Sequence, residues 1–174
     1  TLAIIGLGQI GSRVARIAKA FDMRVIATKR DPSTYDGPAD EVLPPSEVGR
    51  LFDEADWLVL NCPLTDETRG IVDAEALRRM KPSAYLINVG RGACVDEPAL
   101  VEALSSGEIA GAGLDHFYDD PLPEDSPIWD LDNVIVTPHT GGETQKYEAN
   151  LLDIMLDNVG RLSRGETELR NQII

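Results

Sequence analysis

The sequence predicts an α/β domain: a doubly wound parallel sheet with helices on both faces, making three layers. Three observations carry this. Short apolar runs alternate with amphipathic stretches along the chain, the pattern of strands joined by crossover helices. The runs are continuous rather than alternating apolar and polar, as in strands covered on both faces. The first run ends in Gly6-x-Gly8-x-x-Gly11 and passes directly into a helical pattern, the turn of a Rossmann-type dinucleotide-binding unit.

"TLAIIGLG" reads as a buried strand ending in glycine. Ile10, Val14, Ile17 and Phe21 then recur at helical spacing with Arg13, Arg16 and Lys19 off that line, so these four apolar residues are expected to face the sheet. "MRVIAT" is a second strand. Residues 31–46 hold four prolines and a glycine and form a loop, with a short strand at Glu41–Leu43. "SEVGRLFDEA" is helical and "DWLVLN" a strand. "DAEALRRM" is a helix that Lys81-Pro82 helps to end. "AYLINVG" is a strand, and Asp96 caps a helix reaching about Ser105 with Pro98 in its first turn. "IAGAGLD" and "NVIVTPH" complete the strands. A last helix, Glu143 to Arg164, repeats Tyr147, Leu151, Leu152, Met155, Val159 and Leu162 on one side and stops at Gly165. There is no internal repeat and no run near the roughly 20 apolar residues that span a bilayer.

The 174 residues carry 30 acids against 16 bases, a net charge of −14. Such a surface repels nucleic acid and anionic membranes. It is either simply a solvated, self-repelling surface or an adaptation to high salt, where screening removes the repulsion. The halophilic reading predicts a melting temperature that rises between dilute buffer and molar KCl. A flat or falling value across that range would remove it. Cys62 and Cys94 form no spaced framework and no signal peptide opens the chain, which points to reduced thiols in a cytoplasmic protein.

In the glycine turn, Gly6 permits the tight turn, Gly8 lets backbone approach a pyrophosphate, and Gly11 lets the helix pack closely. The helix N-terminus offers N–H groups to phosphates. A ribose-binding carboxylate is expected about 20 residues on. That position falls on Lys29, within the run Thr28-Lys29-Arg30. A hydroxyl, an ammonium and a guanidinium suit a 2′-phosphate, so NADP is expected over NAD. Asp31 is the alternative ribose partner if the strand runs further.

Three further stretches carry chemistry. "NVGRGACVDEPAL" puts Arg91 beyond a strand, where it could hold a substrate carboxylate or make a surface ion pair. "GLDHFYDDPLP" puts Asp115 at a strand end and Asp119 and Asp120 in the following loop. "VIVTPHTGG" puts His139 at another strand end, before glycines that include Gly141. A histidine beside a carboxylate can deliver a proton to a carbonyl oxygen; His139 could equally cap a turn, and the aspartates could simply be solvated. His116 reads as structural, and no metal-ligand set is evident.

Taken together, "GLGQIG", "CPLTDETRGIV", "INVGRGACVDEPAL", "GAGLDHFYDDPLP" and "NVIVTPHTGG" resemble the nucleotide-binding domain of the D-isomer-specific 2-hydroxyacid dehydrogenases, over essentially the whole chain. The likeness takes in glyoxylate/hydroxypyruvate reductase-like and phosphoglycerate dehydrogenase-like members. It implies hydride transfer between a nicotinamide cofactor and a 2-oxoacid or D-2-hydroxyacid. In that family an arginine, a glutamate and a histidine do the chemistry. Arg91 and His139 match the first and last. The glutamate position is Asp120, a departure, shorter by one carbon–carbon bond of roughly 1.5 Å.

The resemblance places Gln9 and Ile10 along the pyrophosphate and Cys62, Pro63 and Thr68 on the adenosine side. Val89, Gly90 and Asp115 face the nicotinamide, with Asp115 on its carboxamide, and Gly141 joins the cofactor-side residues. NAD-preferring members have aspartate at the Lys29 position. The resemblance further implies a homodimer formed through this domain, with a small 2-oxoacid substrate. Residues 1–165 would be the dinucleotide-binding domain, and 166–174 an exit segment toward a substrate domain absent from this chain. The fragment would then be inactive alone. The alternatives are an NAD-linked phosphoglycerate- or formate-type dehydrogenase, and a non-catalytic NAD(P)-sensing protein like the family's corepressors.

Overall fold

Seven strands, β1 (Leu2–Ile5), β2 (Val25–Thr28), β3 (Glu41–Leu43), β4 (Trp57–Leu60), β5 (Tyr85–Asn88), β6 (Gly111–Leu114) and β7 (Val134–Val136), form one sheet in a computed structural model that describes residues 1–172. Every pairing is parallel and the order is β3-β2-β1-β4-β5-β6-β7. Helices α1 (Gln9–Ala20), α2 (Val48–Glu54), α3 (Ala74–Arg79) and α4 (Glu97–Ser106) lie between strands, and α5 (Tyr147–Ser163) follows the last. The chain runs outward from β1 to β3, then returns to place β4 on the other side of β1. That reversal opens a crevice at the carboxyl ends of β1 and β4, where ligands of doubly wound sheets bind.

The continuous apolar runs are covered on both faces. Ile4, Val25 and Val59 pack with Ala15 and Ala18 of α1. Ile5, Ile26, Leu58 and Leu86 point the other way, into a core with Leu51, Leu77, Leu100 and Ile128. Asp73 Oδ1 accepts from the Ala76 N–H and Asp96 Oδ1 from the Ala99 N–H, capping α3 and α4. Gly107 closes α4 in the left-handed conformation, φ +74°.

The expected face of α1 is a correction. Ile10, Ile17 and Phe21 are 63, 56 and 75 % exposed, and the helix buries Gly11, Ala15 and Ala18 instead. The reason is close approach: a Cβ at Gly11 would stand 2.3 Å from the Gly6 carbonyl oxygen. A helix seated this tightly presents its smallest residues to the sheet. Two other limits move. Pro44 and Pro45 turn the start of the second helix into a 3₁₀ turn, Pro45–Glu47. The last helix begins at Tyr147 rather than Glu143, after turns in which Glu143 N–H donates to Thr140 O and Lys146 N–H to Thr144 Oγ1.

Contacts divide the chain into two compact units, Thr1–His139 and Thr140–Ile174; the expected division at residue 165 falls inside the second. Within that second unit the Arg170 N–H donates to Asn158 Oδ1, and its guanidinium pairs with Asp153. The exit segment expected at 166–174 therefore lies back along α5 as far as it is described, and its residues 173 and 174 lie outside the described residues.

Acids near the amino ends of the strands are paired with bases. Glu41 meets Arg50 and Arg24, Glu54 meets the same two, and Asp53 meets Arg79. Hydrogen bonds from Arg50, Arg24 and Arg79 hold Glu41, Glu54 and Asp53 respectively below their ordinary values. A lowered carboxyl adds stability above its unfolded pKa and loses it as pH falls through the folded value. Exposed pairs of this kind are individually weak. The stability advantage of the wild type over Glu41→Gln/Asp53→Asn is therefore expected to be constant above about pH 5 and to fade below about pH 4. Melting curves of both proteins across that range check this; an advantage unchanged at pH 3 would contradict it.

Candidate functional site

Two groups of residues meet at the carboxyl edge of the sheet in the first unit. The first surrounds the glycine turn. Gly6 has φ +97°, and a Cβ there would lie 2.7 Å from the Cys62 nitrogen. Gly8 has nothing within 4 Å of where its Cβ would be, so the backbone is bare on the open side. Gly8 also caps α1 without any side-chain hydrogen bond, which leaves the first N–H groups of the helix to another acceptor. Gln9 and Ile10 are exposed at that helix start.

Beside the turn lies a cleft of about 550 Å³. Gly6, Gly8, Thr28, Lys29 and Arg30 line one part of it, and Cys62, Pro63 and Thr68 another. Thr28 ends β2, and its carbonyl accepts from the Gly6 and Leu7 N–H groups. Lys29 is the first residue past the strand, its N–H on the Leu43 carbonyl. Asp31 Oδ1 accepts from the Ser33 N–H and hydroxyl and caps a 3₁₀ turn. The strand thus stops before Asp31, whose Oδ1 serves its own loop, while Asp31 also lines the cleft beside Lys29 and Arg30. Thr68 Oγ1 donates to Pro63 O at 2.7 Å and accepts from the Thr65 N–H at 2.8 Å, so this hydroxyl knits the loop after β4. The Cys62 and Cys94 thiols are buried 4.0 Å apart. Cys62 donates to Cys94, which together with burial raises the Cys62 thiol.

The second group sits at the ends of β5, β6 and β7. Asn88, 1 % exposed, ends β5. Its Oδ1 accepts from the Gly90 N–H, its Nδ2 donates to the Arg91 carbonyl, and its own carbonyl accepts from the Asp115 N–H, each at 3.0 Å. This one side chain fixes the turn that carries Val89, Gly90 and Arg91. Val89 is exposed and Gly90 buried. Arg91 is exposed, with Nη1 on the Gly90 carbonyl. A Cβ at Gly92 would lie 1.7 Å from Phe117 O, so only glycine lets this turn press against the loop after β6.

Within that loop Asp115 is buried and accepts from Thr137 Oγ1 at 2.5 Å. Glu97 Oε2 accepts from the Tyr118 N–H and anchors the loop to α4. Asp120 Oδ2 lies 2.5 Å from His139 Nδ1; the shorter carboxylate does reach the ring. His139 has φ +55°, and its N–H donates to Thr137 O. Asp119 is exposed in the same loop, and Gly141 falls in the second unit.

His116 is central to this group. It is 6 % exposed, and its ring lies edge-on to that of His139 with centroids 3.7 Å apart. Its Nδ1 is 3.9 Å from Asp120 Oδ2 and its Nε2 4.0 Å from Asp115 Oδ2. Burial lowers its pKa first, and the charges of His139 and Arg91 lower it further, against Asp115 and Asp120. Burial and these charges thus disfavour the protonated form of His116 beside the exposed imidazole.

Sequence reasoning passed over three of these residues. Asn88 and Thr137 each stand one position before the strand ends it singled out; a lone polar residue closing an apolar run was the available signal. His116 reads as structural in the sequence; it is buried, and it also lies against both His139 and Asp120.

The chemistry open to the group follows. A carboxylate on Nδ1 fixes the ring orientation and leaves Nε2, on the far side of the ring, to give or take a proton. An exposed guanidinium on a rigid turn can grip a carboxylate bidentately.

Residues 1–141 match the family profile described as D-isomer specific 2-hydroxyacid dehydrogenase, NAD binding domain. A glyoxylate reductase of Korarchaeum cryptofilum is 40 % identical over 169 residues, covering 95 % of this chain and 50 % of that protein. A probable 2-hydroxyacid dehydrogenase of Rhizobium etli, solved with NADP, superposes with a TM-score of 0.88 at 32 % identity, over 99 % of this chain and 55 % of that one. A D-isomer specific 2-hydroxyacid dehydrogenase of Lactobacillus delbrueckii, solved with NAD, gives 0.81 at 32 % identity, over 96 % and 54 %. The chain spans about half the length of each of these proteins.

Proposed function

This chain belongs to the D-isomer-specific 2-hydroxyacid dehydrogenase family, and from that premise we propose that it is the cofactor-binding and proton-transferring half of an NADP-preferring reductase of 2-oxoacids. The residues present fit a dinucleotide. Gly8 is bare toward the open side, the first N–H groups of α1 lack a side-chain cap, and Lys29 and Arg30 line the adjoining cleft. Lys29 and Arg30 would hold a 2′-phosphate there; Asp115, steadied by Thr137, would hold the carboxamide. When bound, the reduced nicotinamide supplies a hydride.

The chain's own residues do the rest. Arg91 anchors the oxoacid carboxylate and polarises the keto oxygen. His139 gives its Nε2 proton to that oxygen. Asp120 holds Nδ1 and so orients the ring. The single observation carrying this reading is the His139–Asp120 contact, one loop away from Arg91. A substrate domain outside this chain would complete the pocket.

The test is a panel of 2-oxoacids assayed with NADPH and with NADH on the protein containing this chain. Turnover with NADPH exceeding that with NADH supports the reading. An NAD-linked enzyme is the second reading, favoured by the NAD-bound Lactobacillus delbrueckii neighbour; it requires the opposite preference.

A further inference from the structure

The geometry points to a binding site for a divalent transition-metal ion, best suited to Zn²⁺, formed by His116, Asp120 and His139. Each of the three offers one ligand atom, and these atoms all lie within 4.8 Å of one another. Two imidazole nitrogens and one carboxylate oxygen are a donor set that zinc takes readily. Tetrahedral bonds of about 2.0–2.1 Å put ligand atoms about 3.3 Å apart. His139 Nδ1 and Asp120 Oδ2, now at 2.5 Å, would open slightly, and His116 Nδ1 and Asp120 Oδ2, now at 3.9 Å, would close slightly. These two changes are under about 1 Å, and the two imidazole nitrogens, within 4.8 Å of each other, would close by at most about 1.5 Å, all within side-chain reach.

A second feature points the same way. Metal-bound histidines usually turn their other nitrogen to a carboxylate that fixes the ring. Asp115 Oδ2 stands 4.0 Å from His116 Nε2, the nitrogen facing away from Asp120, so a closure of about 1 Å would make that hydrogen bond, and Asp115 is itself held by Thr137. The ion has a route in, because the His139 and Asp120 side chains are 50 and 36 % exposed. Water would supply the fourth ligand.

The consequence rests on the function proposed above: His139 and Asp120 cannot both hold a metal and deliver a proton, so occupancy would inhibit turnover. His116 makes the difference, since without it the pair is an ordinary acid–base couple.

The test reads binding rather than turnover. Co²⁺ is titrated into the 174-residue chain, followed by its visible absorption, and then displaced with Zn²⁺. The site predicts one Co²⁺ per chain with the intense bands of a low-coordinate centre. His116→Gln should weaken binding by more than the roughly tenfold to hundredfold typical of losing an outer-shell partner, with the melting temperature and NADPH affinity preserved. Asp119→Asn should leave metal binding unchanged. If His116→Gln does not fold, His139→Asn, at an exposed position, carries the test. Co²⁺ binding that survives both substitutions would place the ion on the acidic surface and overturn the proposal, as would no binding by the wild type. A chain that binds Co²⁺ as described yet never reduces a 2-oxoacid keeps the metal site and loses the catalytic reading. A protein that turns over without binding metal loses the metal site alone.

Discussion

His139→Ala is expected to lower 2-oxoacid reduction by roughly a hundredfold to ten-thousandfold, the range that a positioned general acid contributes. NADPH affinity should hardly change, because in the proposed reaction the imidazole acts on the carbonyl and the glycine turn lies elsewhere. Asp120→Asn separates the roles further. It keeps the size of the side chain and a hydrogen-bonding oxygen but removes the carboxylate that orients the ring through Nδ1. The reduction rate should then fall, with NADPH affinity preserved. Initial rates and NADPH titrations for wild type, His139→Ala and Asp120→Asn check both statements. An Asp120→Asn rate equal to that of the wild type would reduce Asp120 to a loop residue and make Asp119 the next candidate.

Lys29→Asp with Arg30→Pro is the second large effect expected. The pair lines the cleft beside the glycine turn, and each charge-assisted contact to a 2′-phosphate contributes about 1.5–3 kcal/mol. Their exposure reduces that figure, yet losing both should weaken NADPH more than tenfold. The new carboxylate would accept from ribose hydroxyls and repel a 2′-phosphate, so NADH should gain. Calorimetric titration of the 174-residue chain with each cofactor measures both changes. Equal binding of NADH and NADPH by the wild type would make the basic run a mere loop tip.

Much of the fold is visible in the sequence because every strand but β3 is a short apolar run closed by glycine or a polar residue. Even β3, three residues inside a proline-rich stretch, stands out as Glu41–Leu43. The buried face of α1 does not. Periodicity favours large apolar residues, whereas this helix sits so close to the turn that Gly11, Ala15 and Ala18 make the contact. The glycine turn is legible because its three glycines answer three distinct steric demands. Asn88 and Thr137 are not, since one polar residue at a strand end has no periodicity to mark it. Their roles depend on which loops the sheet order sets side by side: Asn88 and Asp115 meet because β5 and β6 are neighbours, and Asp115 meets Thr137 because β6 and β7 are. His116 escaped for the same reason: its partners, Asp120 and His139, come together only in the folded edge of the sheet.

A chain that binds a nicotinamide cofactor in order to reduce a 2-oxoacid, as proposed, consumes NADPH when its substrate is present. The loss of NADPH absorbance is followed when glyoxylate and larger 2-oxoacids are added to the protein containing this chain, with the His139→Ala variant run alongside. Steady NADPH oxidation with at least one oxoacid in the wild type and near-abolition in the variant are expected. Tight NADPH binding with no oxidation by any oxoacid in the panel would contradict that proposal and leave a cofactor-sensing binding protein as the reading.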